Sequence, residues 1–173
     1  MKINVFIICL FFSFYSCSQN SFVNYKSPNG YSFSYSDKEW QLERSETHTI
    51  LFNKLERSSN FNTNINILVQ DLSNTPMSLS DYHKITLYQM VQALGKNTVE
   101  SDRDIKVSGT PAKEIIYIIP QDISKGNYIE LKLKQIYLIK NDKAYLITYT
   151  SVTKDFDTYL KSANKVFETF KIL

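Results

Sequence analysis

The segment "NYIELKLKQIYLIK", followed by "ND" and then "KAYLITYTSV", constrains the fold more than any other part of this sequence. Two runs rich in β-branched, aromatic and aliphatic residues flank Asn141-Asp142, residue types that tolerate the left-handed backbone of a two-residue hairpin turn. Pairing Lys140 with Lys143 puts Lys132, Lys134, Ile136 and Leu138 on one face with Tyr145, Ile147 and Tyr149. The opposite face then carries Leu131, Leu133, Tyr137 and Ile139 with Ala144 and Leu146. An antiparallel sheet with one wet face would be apolar on one side only, so both sides of this hairpin need a cover. The expected fold is α+β: an antiparallel sheet of about six to seven strands with helices on both faces, a three-layer α/β/α sandwich.

Other segments supply the remaining parts. "GYSFSYSDKEW" alternates Tyr31, Phe33 and Tyr35 with serines, and "HTILFNK" (48–54) reads as a second strand. In "FNTNINILVQ", Phe61, Ile65, Ile67 and Val69 are expected on one side, with Asn62, Asn64, Asn66 and Gln70 on a wet side. A helix is predicted over 81–94, capped by Ser80, stopped at Gly95 and carrying an apolar stripe of Leu87, Met90, Val91 and Leu94. The charged run "ESDRD" then reads as a connection, "SGTPA" as a turn, and Ile115 to Ile119 as a strand buried on both faces. "TKDFDTYLKSANKVFETF" predicts a second helix, opened by Thr153. Its broad stripe of Phe156, Tyr159, Leu160, Ala163, Val166, Phe167 and Phe170 would cover the sheet.

The N-terminus reads as an address. Lys2 precedes an apolar core from Val5 to Phe14, and ten helical residues rise about 15 Å, half of a hydrocarbon layer, so a removed signal fits better than a membrane span. Its end, Ser16-Cys17, resembles a bacterial lipoprotein signal, which implies cleavage before Cys17 and lipidation of that residue; Phe14 stands where such signals commonly have Leu. Cleavage after Ser18 is the other reading, since Ser16-Cys17-Ser18 is also a small-x-small pattern. The expected organisation is therefore a signal peptide at 1–16, Cys17 with a polar tether at 17–29, and one globular domain at 30–173. With Cys9 in the discarded segment and Cys17 acylated, no internal disulfide can form.

Charge and motifs narrow the function. The formal net charge is +3, and loss of Lys2 lowers it to +2, far from the basic footprint of a nucleic-acid binder. No thiol nucleophile remains, no serine sits in G-x-S-x-G, and the glycines form no phosphate-cradling loop. His48 and His83 fall in separate elements without metal-ligand spacing, and read as surface or partly packed residues. Glu100, Asp102 and Asp104 would project to one side of an extended segment. Arg103 and Lys106 interrupt them, so a solvated charged connection is expected rather than a calcium site. No catalytic residue, metal or cofactor is assigned.

Three stretches resemble the PsbP-like superfamily: "GYSFSYSDKEW", "VSGTPAKEIIY" and the closing "KAYLITYTSVTKDFDTYLKSANKVFETFKI". Ser36 stands where the family commonly has proline, and Thr169 where it often has serine. The resemblance implies an antiparallel sheet between helices and mostly noncatalytic roles: extrinsic photosystem subunits, a nuclear-import accessory factor, periplasmic lipoproteins and effector chaperones. The resulting expectation is an exported, monomeric domain, lipid-anchored through Cys17, facing the periplasm from the outer membrane. It would bind an envelope protein partner, with Asn62, Asn64 and Asn66 as its surface. A carrier of an apolar ligand or lipid in a cleft between sheet and helix is the alternative, and an uncharacterised hydrolase a second one.

Overall fold

The computed structural model describes residues 22–46, 48–55, 61–95, 98–124 and 126–173. In chain order the elements are β1 (Phe22–Ser27), β2 (Tyr31–Ser36), β3 (Trp40–Arg44), β4 (His48–Asn53), β5 (Asn64–Asp71) and α1 (Leu79–Leu94). There follow β6 (Val99–Val107), β7 (Thr110–Ser124), β8 (Asn127–Lys140), β9 (Lys143–Val152), α2 (Phe156–Thr169) and β10 (Lys171–Ile172). Seven strands form an antiparallel sheet in the order β3-β4-β5-β9-β8-β7-β6, and a smaller sheet is ordered β1-β2-β10.

The expected hairpin is present with Lys140 opposite Lys143, and its turn residues Asn141 and Asp142 take φ of 52° and 54°. Its two faces part as the alternation requires. Ile136, Leu138, Tyr145, Ile147 and Tyr149 join the main core, while Tyr137 and Ala144 join a second cluster. The main core lies between the large sheet and a layer made of α2 and the small sheet. Phe156, Ala163, Val166, Phe167 and Phe170 pack there with Tyr31, Phe33 and Trp40. On the opposite face, α1 lays Tyr82 and Met90 over Ile115, Tyr137 and Ala144. Helices therefore stand on both faces, but unequally: α1 covers β7 to β9 and leaves β3 to β5 without a described helix above them.

Several sequence expectations are corrected. Residues 22–27, read as tether, form β1, because Tyr25 pairs with Phe33 and packs against the main core. The run "ESDRD" is not a connection but part of β6, at the edge of the sheet. There its charges find partners: Asp104 bonds Lys113 at 2.8 Å, Arg103 bonds Glu114, and Glu100 bonds Lys132 at 2.7 Å. Charged edge strands also discourage pairing with other chains. A register shift between Val99 and Ser101 separates the acids. Asp102 meets His83 of α1, whereas Glu100 meets Lys132, whose ammonium lies over Phe156 on the other side of the sheet. Among the described residues no group of acids or histidines could hold a metal.

The first helix starts earlier than predicted. Ser78, extended at ψ 159°, is its cap and accepts the Asp81 N–H at 3.1 Å, so Ser80 lies inside the helix. The Ser78 hydroxyl, and then Lys84, hold the Asp81 carboxyl below the usual carboxylate range. Val91 is only partly buried and belongs to neither cluster. The second helix is capped at Asp155, after a 3-10 turn over Thr153–Asp155. Of Ile115 to Ile119 only Ile115 is fully buried; β7 continues past the end of β6, so Ile118 and Ile119 have a paired neighbour strand on one side only. Phe61 leaves the predicted core row and packs against Leu131, Leu133 and Val152, while Thr63 is buried and its hydroxyl bonds Ser151 Oγ at 2.9 Å.

Candidate functional site: an open sheet face

Strand register defines the surface that α1 leaves uncovered. Across β4, β5, β9 and β8, Phe52 stands beside Asn64, Thr150 and Leu133, and Ile50 beside Asn66, Thr148 and Gln135. A third row runs His48, Leu68, Leu146 and Tyr137, the last already beneath α1. Ile50, Phe52 and Leu68 belong to none of the apolar clusters, and Leu68 is 38% exposed. Gln41 and Glu43 of β3 continue the first two rows, so the face carries three large apolar side chains among amides and hydroxyls, with one charge, Glu43, at its β3 margin. Its uncharged centre sheds water at less cost than charged groups.

The predicted asparagines fall on and beside this face. Asn62 is exposed ahead of β5, and its carbonyl accepts from Asn64 Nδ2 at 2.9 Å. Asn64 and Asn66 are partly buried within the strand. The Asn66 Oδ1 atom is shielded from water with no hydrogen-bond partner in the structure, while Gln135 Nε2 beside it donates to Thr148 Oγ1 at 3.0 Å. A shielded carbonyl oxygen without a donor is costly, which makes this part of β5 less favourably packed than its neighbours. Gln70, expected on the same wet side, instead accepts the Tyr82 hydroxyl at 2.9 Å, so the start of α1 bounds the open surface. Cys17 and residues 1–16 lie outside the described residues.

The two histidines have different surroundings. His48 shares its Nδ1 with Ser45 Oγ at 2.9 Å across the turn between β3 and β4. His83 is buried, 8% exposed, and links Asp102 Oδ2 at 3.0 Å to the Tyr137 hydroxyl. A carboxylate accepts and a hydroxyl can either donate or accept, so the imidazole bridges the two groups through both of its ring nitrogens. Sequence reading missed this chain because its members come from α1, β6 and β8, and neither spacing nor periodicity links them. A general base needs its substrate within about 3 Å, yet Tyr137 is fully buried. The arrangement pins α1 to the sheet.

Burial, and after it Asp102 and Tyr82, hold the Tyr137 hydroxyl far above the ordinary tyrosine value of 10.0. Burial likewise raises Tyr82 and Tyr117. Raised values mean that the unfolded chain ionises first, so these groups leave stability unchanged below the ordinary value and erode it as pH rises through the folded values. Urea midpoints measured from about pH 8 to about pH 11 are expected to hold and then fall, Tyr137 alone adding up to about 1.4 kcal/mol per pH unit. Tyr137→Phe should make the alkaline decline shallower.

The space between α2 and the large sheet is filled by Phe156, Ala163, Val166, Phe167 and Phe170. No helix among the described residues is long and apolar enough to cross a membrane.

No known protein family and no curated protein matches the sequence. Solved structures do. The cyanobacterial PsbP of Synechocystis aligns at a TM-score of 0.58 with 12% identity, over 91% of this chain and 96% of that one. LpqN of Mycobacterium tuberculosis, described as involved in cell envelope biogenesis, aligns at 0.62 with 12% identity, over 88% and 89% of the two chains. The Ran-binding protein Mog1p of Saccharomyces cerevisiae aligns at 0.56 with 9% identity, over 88% and 95%. The fold is thus PsbP-like, as the three sequence stretches implied.

Proposed function

We propose that this chain is an exported lipoprotein whose domain serves as a noncatalytic binding module for a protein partner in the cell envelope. In this reading Cys17 is lipidated, the domain is monomeric and faces the periplasm from the outer membrane, and the partner docks on the sheet face around Asn64 and Asn66, with Asn62 at its margin. The observation that carries it is the half-covered sheet, where exposed Leu68 and partly exposed Ile50 and Phe52 stand beside the amides of Asn64, Asn66 and Gln135. Structural neighbours that bind Ran or take part in envelope biogenesis are consistent with such a use of this fold. Anchoring would confine the domain to a thin layer and raise its effective concentration for neighbours there, so a modest interface suffices.

The test is crosslinking in intact envelopes with identification of captured proteins by mass spectrometry. Asn64→Arg should weaken capture of a specific partner about tenfold or more, since it forces a charge into an uncharged contact. Equal capture by the variant rules out this surface, and absence of any reproducible partner rules out the reading. Cys17→Ser, fractionated in parallel, should leave the membrane pellet; an unchanged distribution overturns lipidation.

A further inference from the structure

A second surface lies on the outer side of α2, away from the open sheet face. There a groove of about 530 Å³ runs between α2 and the start of β1. Its apolar wall is made by Phe22, Leu55 and Tyr159, with Phe22 45% and Leu55 55% exposed. Its floor holds Ser162, whose Oγ accepts the indole N–H of Trp40 at 2.6 Å and donates to the Glu39 carboxylate. Lys161, Lys165 and Glu168 stand around it, and the Lys165 ammonium lies 5.0 Å from the centre of the Phe22 ring.

Two features indicate what this groove meets. Phe22 follows Cys17 by five residues, a span of at most about 17 Å, so a lipidated Cys17 would hold the groove within reach of the bilayer. Exposed aromatic and aliphatic side chains flanked by lysines are also the composition of interfacial membrane contacts, where the ring enters the acyl boundary and the ammonium reaches back to the headgroups. Since the lining carries both signs, Lys161 and Lys165 with Glu39 and Glu168, it suits a zwitterionic headgroup better than a purely anionic one.

We propose that this groove seats a zwitterionic phospholipid of the membrane to which the chain is tethered, with an acyl chain along Phe22, Leu55 and Tyr159 and the phosphate at Lys161 and Lys165. The inference rests on the lipidation of Cys17 proposed above. It gives the tethered domain a fixed attitude: α2 faces the bilayer, and the open sheet face is left for a protein partner.

Trp40 is the single tryptophan of the chain, and its bond to Ser162 puts it directly behind the groove floor, so its emission reports occupancy. The full chain, expressed in cells, extracted in detergent and reconstituted into phosphatidylcholine vesicles, is compared with the same preparation in vesicles of brominated phosphatidylcholine. Interfacial side chains enter the acyl boundary by roughly 5–10 Å, so bromine in acyl chains seated in the groove should lower Trp40 emission relative to the unbrominated vesicles. Phe22→Asp and Leu55→Asp, each at an exposed position, should restore it while leaving the circular dichroism unchanged. Protein that floats with the vesicles but shows no quenching, or variants quenched as strongly as the parent, overturns the groove and leaves the anchor standing. Protein that does not float overturns both. Quenching that persists in Cys17→Ser supports the groove and shows that it fills without the anchor, whereas quenching lost with Cys17 shows that the anchor is needed to bring the groove to the bilayer.

Discussion

Glu114→Leu is expected to lower the stability of the domain by about 3–5 kcal/mol, read as a shift in the urea midpoint, because it strands a buried cation. Glu114 is 4% exposed, and its carboxylate holds Arg103 on one oxygen and Lys134, at 3.2 Å, on the other. Lys134 is itself 12% exposed, with its ammonium bonded to Asn164 Oδ1 at 3.0 Å and lying 5.0 Å from the centre of the Phe167 ring. Arg103, at 61%, can turn into water when its partner is lost, whereas Lys134 cannot. The double change Glu114→Leu with Lys134→Met should therefore recover part of the loss, since replacing both members of a buried pair by apolar groups is often neutral or stabilising. Arg103→Ala should change stability by less than about 1 kcal/mol, as for exposed pairs in general. A double variant no more stable than Glu114→Leu alone would show that the stranded Lys134 ammonium is not the source of the loss.

Phe170→Ala should cost about 3–5 kcal/mol and lower the melting temperature by roughly 10 °C. Phe170 is fully buried at the point where α2 gives way to β10. Its ring lies 5.4 Å from that of Tyr31 in near-parallel stacking, and edge-on to Tyr145 at 6.2 Å, so it touches both sheets at once. Its carbonyl accepts the Ser108 hydroxyl at 2.6 Å from the turn between β6 and β7. Truncation should thus loosen the small sheet against the large one, and amide exchange in β10 and β2 should rise more than exchange in β8. Phe170→Leu, which keeps most of the apolar volume, should show a smaller loss. Uniform exchange across both sheets would place the coupling elsewhere.

The long hairpin could be read from the sequence because its turn and its alternation are local: Asn141-Asp142 fixes the register and the register fixes the faces. The stripe of α2 was legible for the same reason, as its period alone decides which residues meet the sheet. What could not be read depends on partners far along the chain. β1 resembles a tether until Tyr25 is seen opposite Phe33. "ESDRD" resembles a connection until Lys113, Glu114, His83 and Lys132 are seen to receive its charges. The asparagines of β5 were identified as a polar face, but alternation could not show that α1 stops short of them, nor that Phe52 and Ile50 stand beside them.

The order of the large sheet has a kinetic consequence. β6 to β9 form an uninterrupted meander of sequence neighbours, whereas β5 finds its second partner only in β9, with residue 64 opposite residue 150. Local pairings close small loops and form early, while distant ones must first overcome the entropy of a large loop, so high contact order slows folding. The meander should therefore nucleate the domain, and β3 to β5, made earlier in synthesis, must wait for β9 before they can join it.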